Sequence, residues 1–513
     1  MTPNTASILP GINHIVVLML ENRSFDNILG WLYDSQNKPP FDKLPPGQTF
    51  NGVSGKNLTN PWNQTNPPIV TQIPVGSTTD PTNPYPDPGE TYANVYQQLY
   101  NKVPPTPVPW DPPQPPCMCG FVNNYAAQPK VENPPNIMLG FRPATLHVLS
   151  RLAYEYMTCD HWFASVPSQT FTNRCFVHAG TASGYVNNDL HGLPFFTNDT
   201  PTIFNLLETK GKSWRIYYGS HWYFCMSFIG QKQLRPFMFH SGPRRIYPFK
   251  SLLGESFFHD AEKGTLPDYS FVEPNFMNSF LYGYENDMHP DAAIKKIGRA
   301  SDVRYGDELV RKVYQALKSG PREQWESTLL VITFDEHGGC FDHVAPGSAV
   351  PPDNRIIQPN QPGYSGFLFN RYGVRVPTVV VSPRLKNPHS VDNTVYDHTS
   401  IIRTVRDLFL GTQGDECGNR APVANQVNPL LGNPRSDDPD LSVPVMPDDT
   451  PTEDTPLTDF QLGMVRAAYQ ILRELGASDV AAAAEPGFTT QLQAESDLQR
   501  LAATLPESKT PQP

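Results

Sequence analysis

The chain has 513 residues, with 39 Lys and Arg against 50 Asp and Glu, for a formal net charge of −11. At roughly 100–200 residues per domain this is one large elaborated domain or several small ones. The acidic balance, with no long basic run, argues against nucleic acid as a partner and against charge-driven binding to an anionic membrane.

In chain order, Ile12–Leu20 (INHIVVLML) is a short, apolar, β-branched run that predicts a buried strand. The twenty residues at the start lack a charged opening and an A-x-A-like cleavage site, so the expectation is a cytoplasmic protein or export by a non-classical route. Residues 39–116 hold 20 of the 56 prolines, a density that predicts neither regular helix nor central strand. This insert is either an ordered lid or wrap, or a disordered loop; its aromatics (Trp62, Tyr85, Tyr92, Tyr96, Tyr100, Trp110) favour order. Further strands are expected at Ser213–Tyr218, Tyr269–Glu273, Thr328–Phe334 and Val374–Ser382. Helical patterns cover Ala144–Tyr156, Ile203–Thr209, Val303–Ser319 and Ser400–Leu410. Alternation of this kind predicts an α/β fold, a mostly parallel sheet with helices on both faces, and reactive groups beyond the carboxyl ends of the strands. Residues 1–436 form the expected main domain, and 437–456 an acidic, proline-rich linker. A short helical tail follows over 457–513, with helices at Leu457–Leu475 and Thr489–Leu505. No run of about 18 or more apolar residues occurs, so no membrane-spanning helix is expected. Seven cysteines leave at least one unpaired, and Cys117 and Cys119 stand too close for half of a common zinc site.

Four groups of residues carry chemistry. The first is Glu21-Asn22-Arg23-Ser24-Phe25-Asp26, directly after the first strand, where a carboxylate and an amide oxygen suit a hard divalent cation. On its own it also fits an ordinary strand-to-loop turn. The second is Asp335-Glu336-His337-Gly338-Gly339 with Asp342-His343, where two glycines allow a sharp turn that would bring Asp342-His343 back toward the acids. Burying two strand-end acid pairs without a cation is costly, so together they predict a metal site. The third is Phe163–Arg174. A hydroxyl at a helix start, beside Asn173 and Arg174, suits attack on phosphorus, with helix N–H groups and Arg stabilising the phosphoryl oxygens. Without the metal pairs the same Thr would be read as a helix cap. The fourth is the set His178, His289, His343 and His398; Asp342 and Asp397 precede two of these rings.

These motifs, in this order from about Ile12 to Leu410, resemble the phosphoesterase family of bacterial phosphatidylcholine-hydrolysing phospholipases C, plant non-specific phospholipases C and a bacterial acid phosphatase. The resemblance implies an alkaline-phosphatase-like sheet and one divalent cation, with Glu21, Asn22, Asp335 and Glu336 as ligands and Thr170 as nucleophile. It implies catalytic roles for His289, His343 and His398, and phosphate contacts for Asn173, Arg174 and His178. Thr172 stands where the family commonly has Pro, which leaves a second hydroxyl two residues from Thr170. All-oxygen ligands favour calcium, magnesium or manganese. The implied reaction is hydrolysis of a phospholipid to diacylglycerol through a phospho-threonine, with His343 or His398 as general acid; the alternative is an acid phosphatase on the same site. The absence of G-x-S-x-G argues against a Ser-His-Asp lipase, and the absence of Arg after Ser165-Val166-Pro167 against a sulfatase. A phospholipid or small phosphoester is thus the expected partner, with transient contact at a membrane surface. The aromatic run Tyr217–Phe228 could bind a quaternary ammonium head group or dip into lipid, or be core.

Overall fold

The computed structural model describes residues 8–65, 68–103, 115–188, 198–238, 244–250, 255–279, 282–290, 301–355, 366–411, 417–444, 456–477, 490–506 and 509. Its centre is an eight-stranded sheet. In chain order the strands are β1 (His14–Leu20), β2 (Met157–Cys159), β3 (Trp214–Tyr218), β4 (Ile246–Pro248), β5 (Tyr269–Val272), β6 (Thr328–Phe334), β7 (Thr378–Val381) and β8 (Ser390–Asp392). They lie in the order β8-β2-β7-β6-β1-β5-β3-β4, and every neighbouring pair is parallel except the two that involve β7. β1 and β6 sit in the middle, buried along their whole lengths but for His14, which explains their unbroken apolar sequences. β7 is shorter than expected because Pro377 has no N–H for the ladder, so pairing begins at Thr378.

The longer helices among the described residues are α1 (Tyr92–Tyr100), α2 (His147–Glu155), α3 (Thr170–Ala179), α4 (Ile203–Thr209), α5 (Phe257–Lys263), α6 (Val303–Ser319), α7 (Thr399–Phe409), α8 (Asp459–Glu474) and α9 (Gln491–Ala502). α2, α5 and α6 pack together, as do α3, α4 and α7, in two separate layers on the sheet. The expected α/β fold with a mostly parallel sheet between helices is therefore what the chain forms.

The proline-rich insert corrects the expectation that it holds no helix. Its residues 89–103 are free of proline, and α1 forms there, capped by Thr91 accepting from the Asn94 N–H. A hairpin of Thr59–Thr65 and Pro68–Pro74 adjoins it. Val95, Leu99, Phe121, Tyr125 and Met138 give this region a small apolar core of its own; Trp110 lies outside the described residues. Cys117 and Cys119 are joined in a disulfide, whereas Cys159, Cys175, Cys225, Cys340 and Cys417 are free and buried. The acidic linker starts docked rather than loose, because Asp438 accepts hydrogen bonds from Trp325 (2.8 Å) and Tyr156 (3.1 Å); its residues 445–455 lie outside the described set. The tail helices cover the aromatic run, in which Tyr223, Phe224 and Phe228 are fully buried, so that run is core and its flank. Among the described residues no helix is long and apolar enough to cross a membrane.

Candidate active site

The register of the two central strands builds the site. Leu20 of β1 faces Phe334 of β6, so both strands end level and release their next residues side by side. The Asp335 N–H then donates to the Leu20 carbonyl (3.1 Å), and the Asn22 N–H to Asp335 Oδ1 (3.0 Å). Asn22 is held in the left-handed region at φ +53°, a conformation Asn tolerates better than most residues. The turn after β6 closes against it: Gly338 and Gly339 take φ +58° and +66°, and a Cβ on Gly338 would stand 2.0 Å from the Asn22 carbonyl oxygen. Strand register and a two-glycine turn thus bring Glu21-Asn22 and Asp335-Glu336 side by side.

Thr170 is the first residue of α3 and is wholly buried. Its hydroxyl donates toward Glu21 Oε2 (3.0 Å) and Asn22 Oδ1 (3.2 Å). Thr172 instead donates to the Tyr185 carbonyl (3.4 Å). Asn173 spends its amide on the preceding loop: Nδ2 donates to Ser168 (2.8 Å), Gln169 (3.2 Å) and Val166 (3.3 Å) carbonyls, and Oδ1 accepts from Val166 N–H (3.0 Å). It therefore shapes the turn that aims Thr170. Arg174 donates through Nε to Glu21 Oε1 (2.8 Å) and stacks over Phe276 (5.2 Å), while its Nη1 is buried without an acceptor.

The site gathers more buried carboxylate than Arg174 can offset. Three buried carboxylate oxygens, Asp335 Oδ2, Glu336 Oε1 and Asp287 Oδ2, receive no hydrogen bond. Burial pushes the Glu21 and Glu336 carboxyls well above the usual range, in Glu21 against the pull of Arg174 and in Glu336 with Glu90 and Asp335 adding to the effect. Asp287 is pushed up to about 6 by burial. A divalent ion would satisfy these oxygens and favour the charged forms, and Glu21, Asn22, Asp335 and Glu336 offer it the oxygen donors that a hard cation takes. Among the described residues two groups of three acids or histidines have ligand atoms within 4.8 Å of one another, Asp87-Glu90-His289 and Asp26-Asp342-His343; Glu21, Asp335 and Glu336 do not form such a group. The first adjoins this site through His289; the second is already ion-paired, because Arg375 donates to both Asp342 oxygens (2.9 and 3.1 Å) and to Asp26 Oδ1 (2.9 Å).

A phosphoesterase-family profile matches residues 12–410, nearly the whole of the main domain. The chain belongs to the phosphoesterase family. Non-specific phospholipase C3 of Arabidopsis thaliana is 34% identical over 484 residues, spanning 89% of this chain and 82% of the relative. Non-specific phospholipase C4 of the same plant is 33% identical over 477 residues, 88% of this chain and 79% of the relative. Phospholipase C B of Mycobacterium tuberculosis is 28% identical over 468 residues, 83% and 81% of the two chains. Among solved structures, an alkaline phosphatase superfamily protein from Vibrio parahaemolyticus is 14% identical and overlaps 56% of this chain and 66% of its own, with a TM-score of 0.31.

The four histidines of the phosphoesterase separate. His289 Nε2 lies 2.9 Å from Asn22 Nδ2 and 3.5 Å from Glu90 Oε1. Burial disfavours its charged ring, but Asp87, Glu90 and Asp287 outweigh burial, so its pKa stands well above that of free imidazole. His398 bonds through Nε2 to the Asp335 carbonyl (2.6 Å) and through Nδ1 to Trp162 (3.4 Å), which ties the strand end in place. His343 departs from expectation. The glycine turn aims it away from the acid pairs, and its ring meets Asp26 (2.6 Å), Lys56 (2.7 Å) and Asn51 (3.0 Å) in the Arg375 cluster. His178 also departs: it lies two turns down α3 from Thr170, bonded to Ser227 Oγ (3.0 Å) between Phe204 and Phe271, with burial lowering its pKa to about 3. It is a neutral core residue with no contact to the acid pairs.

Sequence reasoning missed Asp287, Glu90 and Asp87. Asp287 stands beside the expected His289, and its backbone carbonyl accepts from the Glu21 N–H (2.8 Å). Glu90 and Asp87 come from the insert, where no local pattern marks them; only their standing as acids in a stretch that becomes buried could have drawn notice.

Proposed function

We propose that this phosphoesterase hydrolyses the glycerol-side phosphate ester of phosphatidylcholine and related phospholipids, giving diacylglycerol and a phosphorylated head group, through a phospho-threonine at Thr170. The observation that carries the reading is the buried Thr170 hydroxyl directed at Glu21 and Asn22, at a helix start, in a chain whose relatives are named phospholipase C. A divalent ion held by Glu21, Asn22, Asp335 and Glu336 would polarise the phosphoryl group and lower the pKa of the threonine hydroxyl.

The residues of the chain account for the remaining steps. Thr170 Oγ1 forms a bond to phosphorus as the bond from phosphorus to the glycerol oxygen breaks, and its proton leaves along the hydrogen bond to Glu21 Oε2. The buried Nη1 of Arg174 supplies a donor for the phosphoryl oxygens, where electrostatic stabilisation is usually the largest contribution. The departing alkoxide needs a proton, and His289 is the histidine beside the acceptor of Thr170 whose surroundings favour the charged ring. Water then attacks phosphorus as the Oγ1–P bond breaks; its proton passes to the now neutral His289, and the proton held by Glu21 returns to Thr170 Oγ1, which restores the hydroxyl. Asn173 and His398 act on the loop and strand end that aim these groups.

Acid quenching during turnover of phosphatidylcholine vesicles, followed by peptide mass spectrometry, should find phosphocholine esterified to Thr170, since the choline ester stays on phosphorus when diacylglycerol leaves, and Thr170→Ala should be inactive yet folded. Strong preference for a simple phosphomonoester over the phosphocholine diester would replace the lipid reading with that of an acid phosphatase.

A further inference from the structure

We infer that Glu90, delivered by the proline-rich insert, is a positioning residue that fixes the side-chain amide of Asn22 with its oxygen toward Thr170. The inference rests on the site reading above. The two ends of an Asn amide are nearly equal in shape, so hydrogen-bond partners alone decide which end faces where. Asn22 Nδ2 lies 2.6 Å from Glu90 Oε2, and an ionised carboxylate can only accept. That bond commits the NH₂ end to the insert and leaves Oδ1 for the Thr170 hydroxyl. In the flipped amide, Glu90 would face a carbonyl oxygen, and two N–H bonds would point at the place where an oxygen donor is needed.

The insert is built to hold Glu90 there. Gln98, on α1, donates through Nε2 to the Gly89 carbonyl (2.6 Å), pinning the backbone next to Glu90. The Oε1 of the same side chain meets His337 Nε2 (2.8 Å), whose ring packs its other nitrogen 3.2 Å from Glu336. Glu90 itself is only 5% exposed. The insert thus grips both acid pairs, through Glu90 at Asn22 and through Gln98 at the Glu336 turn, and is part of the wall of the site rather than a wrap over it.

The test uses the full chain, stripped of metal and titrated calorimetrically with Mn²⁺, alongside kcat and KM on phosphatidylcholine. Glu90→Ala should bind Mn²⁺ roughly 10- to 100-fold more weakly and lose kcat by a similar factor with little change in KM, the scale found when a partner that orients a metal ligand is removed. Glu90→Gln should recover most of both, since its Oε1 can accept from Asn22 while its NH₂ faces the neighbouring Glu336. If Glu90→Ala does not fold cooperatively, Glu90→Met, which fills the space without accepting a bond, replaces it. Unchanged Mn²⁺ affinity and kcat in Glu90→Ala, or Glu90→Gln as impaired as Glu90→Ala, overturns the orienting role. Wild-type protein that neither binds Mn²⁺ nor turns over substrate overturns the site reading itself.

Discussion

Gly338→Ala tests the packing of the two acid pairs most sharply, because it adds one carbon at a place where the structure has none to spare. Gly338 holds φ +58°, and the new Cβ would stand 2.0 Å from the Asn22 carbonyl oxygen and 2.6 Å from its carbon. A left-handed conformation costs an Ala roughly 1–2 kcal/mol. Forcing backbone apart in a packed interior adds about 1–3 kcal/mol, so the expected loss is about 2–5 kcal/mol. The neighbour is main chain, so the turn must move by about 1.4 Å, from 2.0 Å to the 3.4 Å of an ordinary contact. Glu336 moves with it, since its Oε2 accepts from the Gly338 N–H (2.8 Å). A misplacement of that size costs on the order of 10²-fold in rate. Gly55→Ala is the control: φ is +74° with nothing within 4 Å of the added carbon, so it carries the conformational cost alone. Urea melts of both variants, with kcat on phosphatidylcholine, separate the contributions. Full activity in folded Gly338→Ala would mean that the turn does not set the position of Glu336.

Three other outcomes follow from the packing. Arg375→Met should destabilise the fold by about 3–5 kcal/mol in urea melts, because it leaves Asp26 and Asp342 buried and uncompensated; a smaller loss in the double variant with Asp342→Leu would confirm that the cost is the stranded charge. Asn173→Ala should cost about 1–3 kcal/mol and lower kcat, since the Val166 N–H and the Ser168 carbonyl lose their partner in the loop that aims Thr170. His178→Phe should reduce acid sensitivity. The native pKa of about 3 lies below the unfolded value near 6.5, so the unfolded chain binds the extra proton, and stability falls as pH drops from 6.5 toward 3. Melts at pH 7 and pH 4.5 should differ less in His178→Phe than in the wild type.

The central strands and several helices were legible because their causes are local. Thr328–Phe334, Ile203–Thr209 and Val303–Ser319 have the expected bounds, the first as a continuous apolar run and the others by helical spacing. The strands β2, β4 and β8 went unseen, for three residues carry too little periodicity and owe their conformation to neighbours. The convergence of Glu21, Asn22, Asp335 and Glu336 could be reasoned from two strand ends in one sheet. The direction of the glycine turn could not, which is why His343 was expected beside the acids and stands instead with Asp26. Glu90 was hidden for a different reason: its role depends on where a proline-rich segment folds back, 68 residues along the chain from Asn22.

The decisive measurement is anomalous diffraction from crystals grown with Mn²⁺, read together with the metal content of the dissolved protein. One strong peak per chain should lie among Glu21, Asn22, Asp335 and Glu336, within bonding distance of the Thr170 hydroxyl, and Glu336→Gln should diminish it. A peak at Asp26, Asp342 and His343 with none beside Thr170, or one manganese per chain retained when both Asp335 and Glu336 are replaced, would contradict the convergence of these residues on one cation.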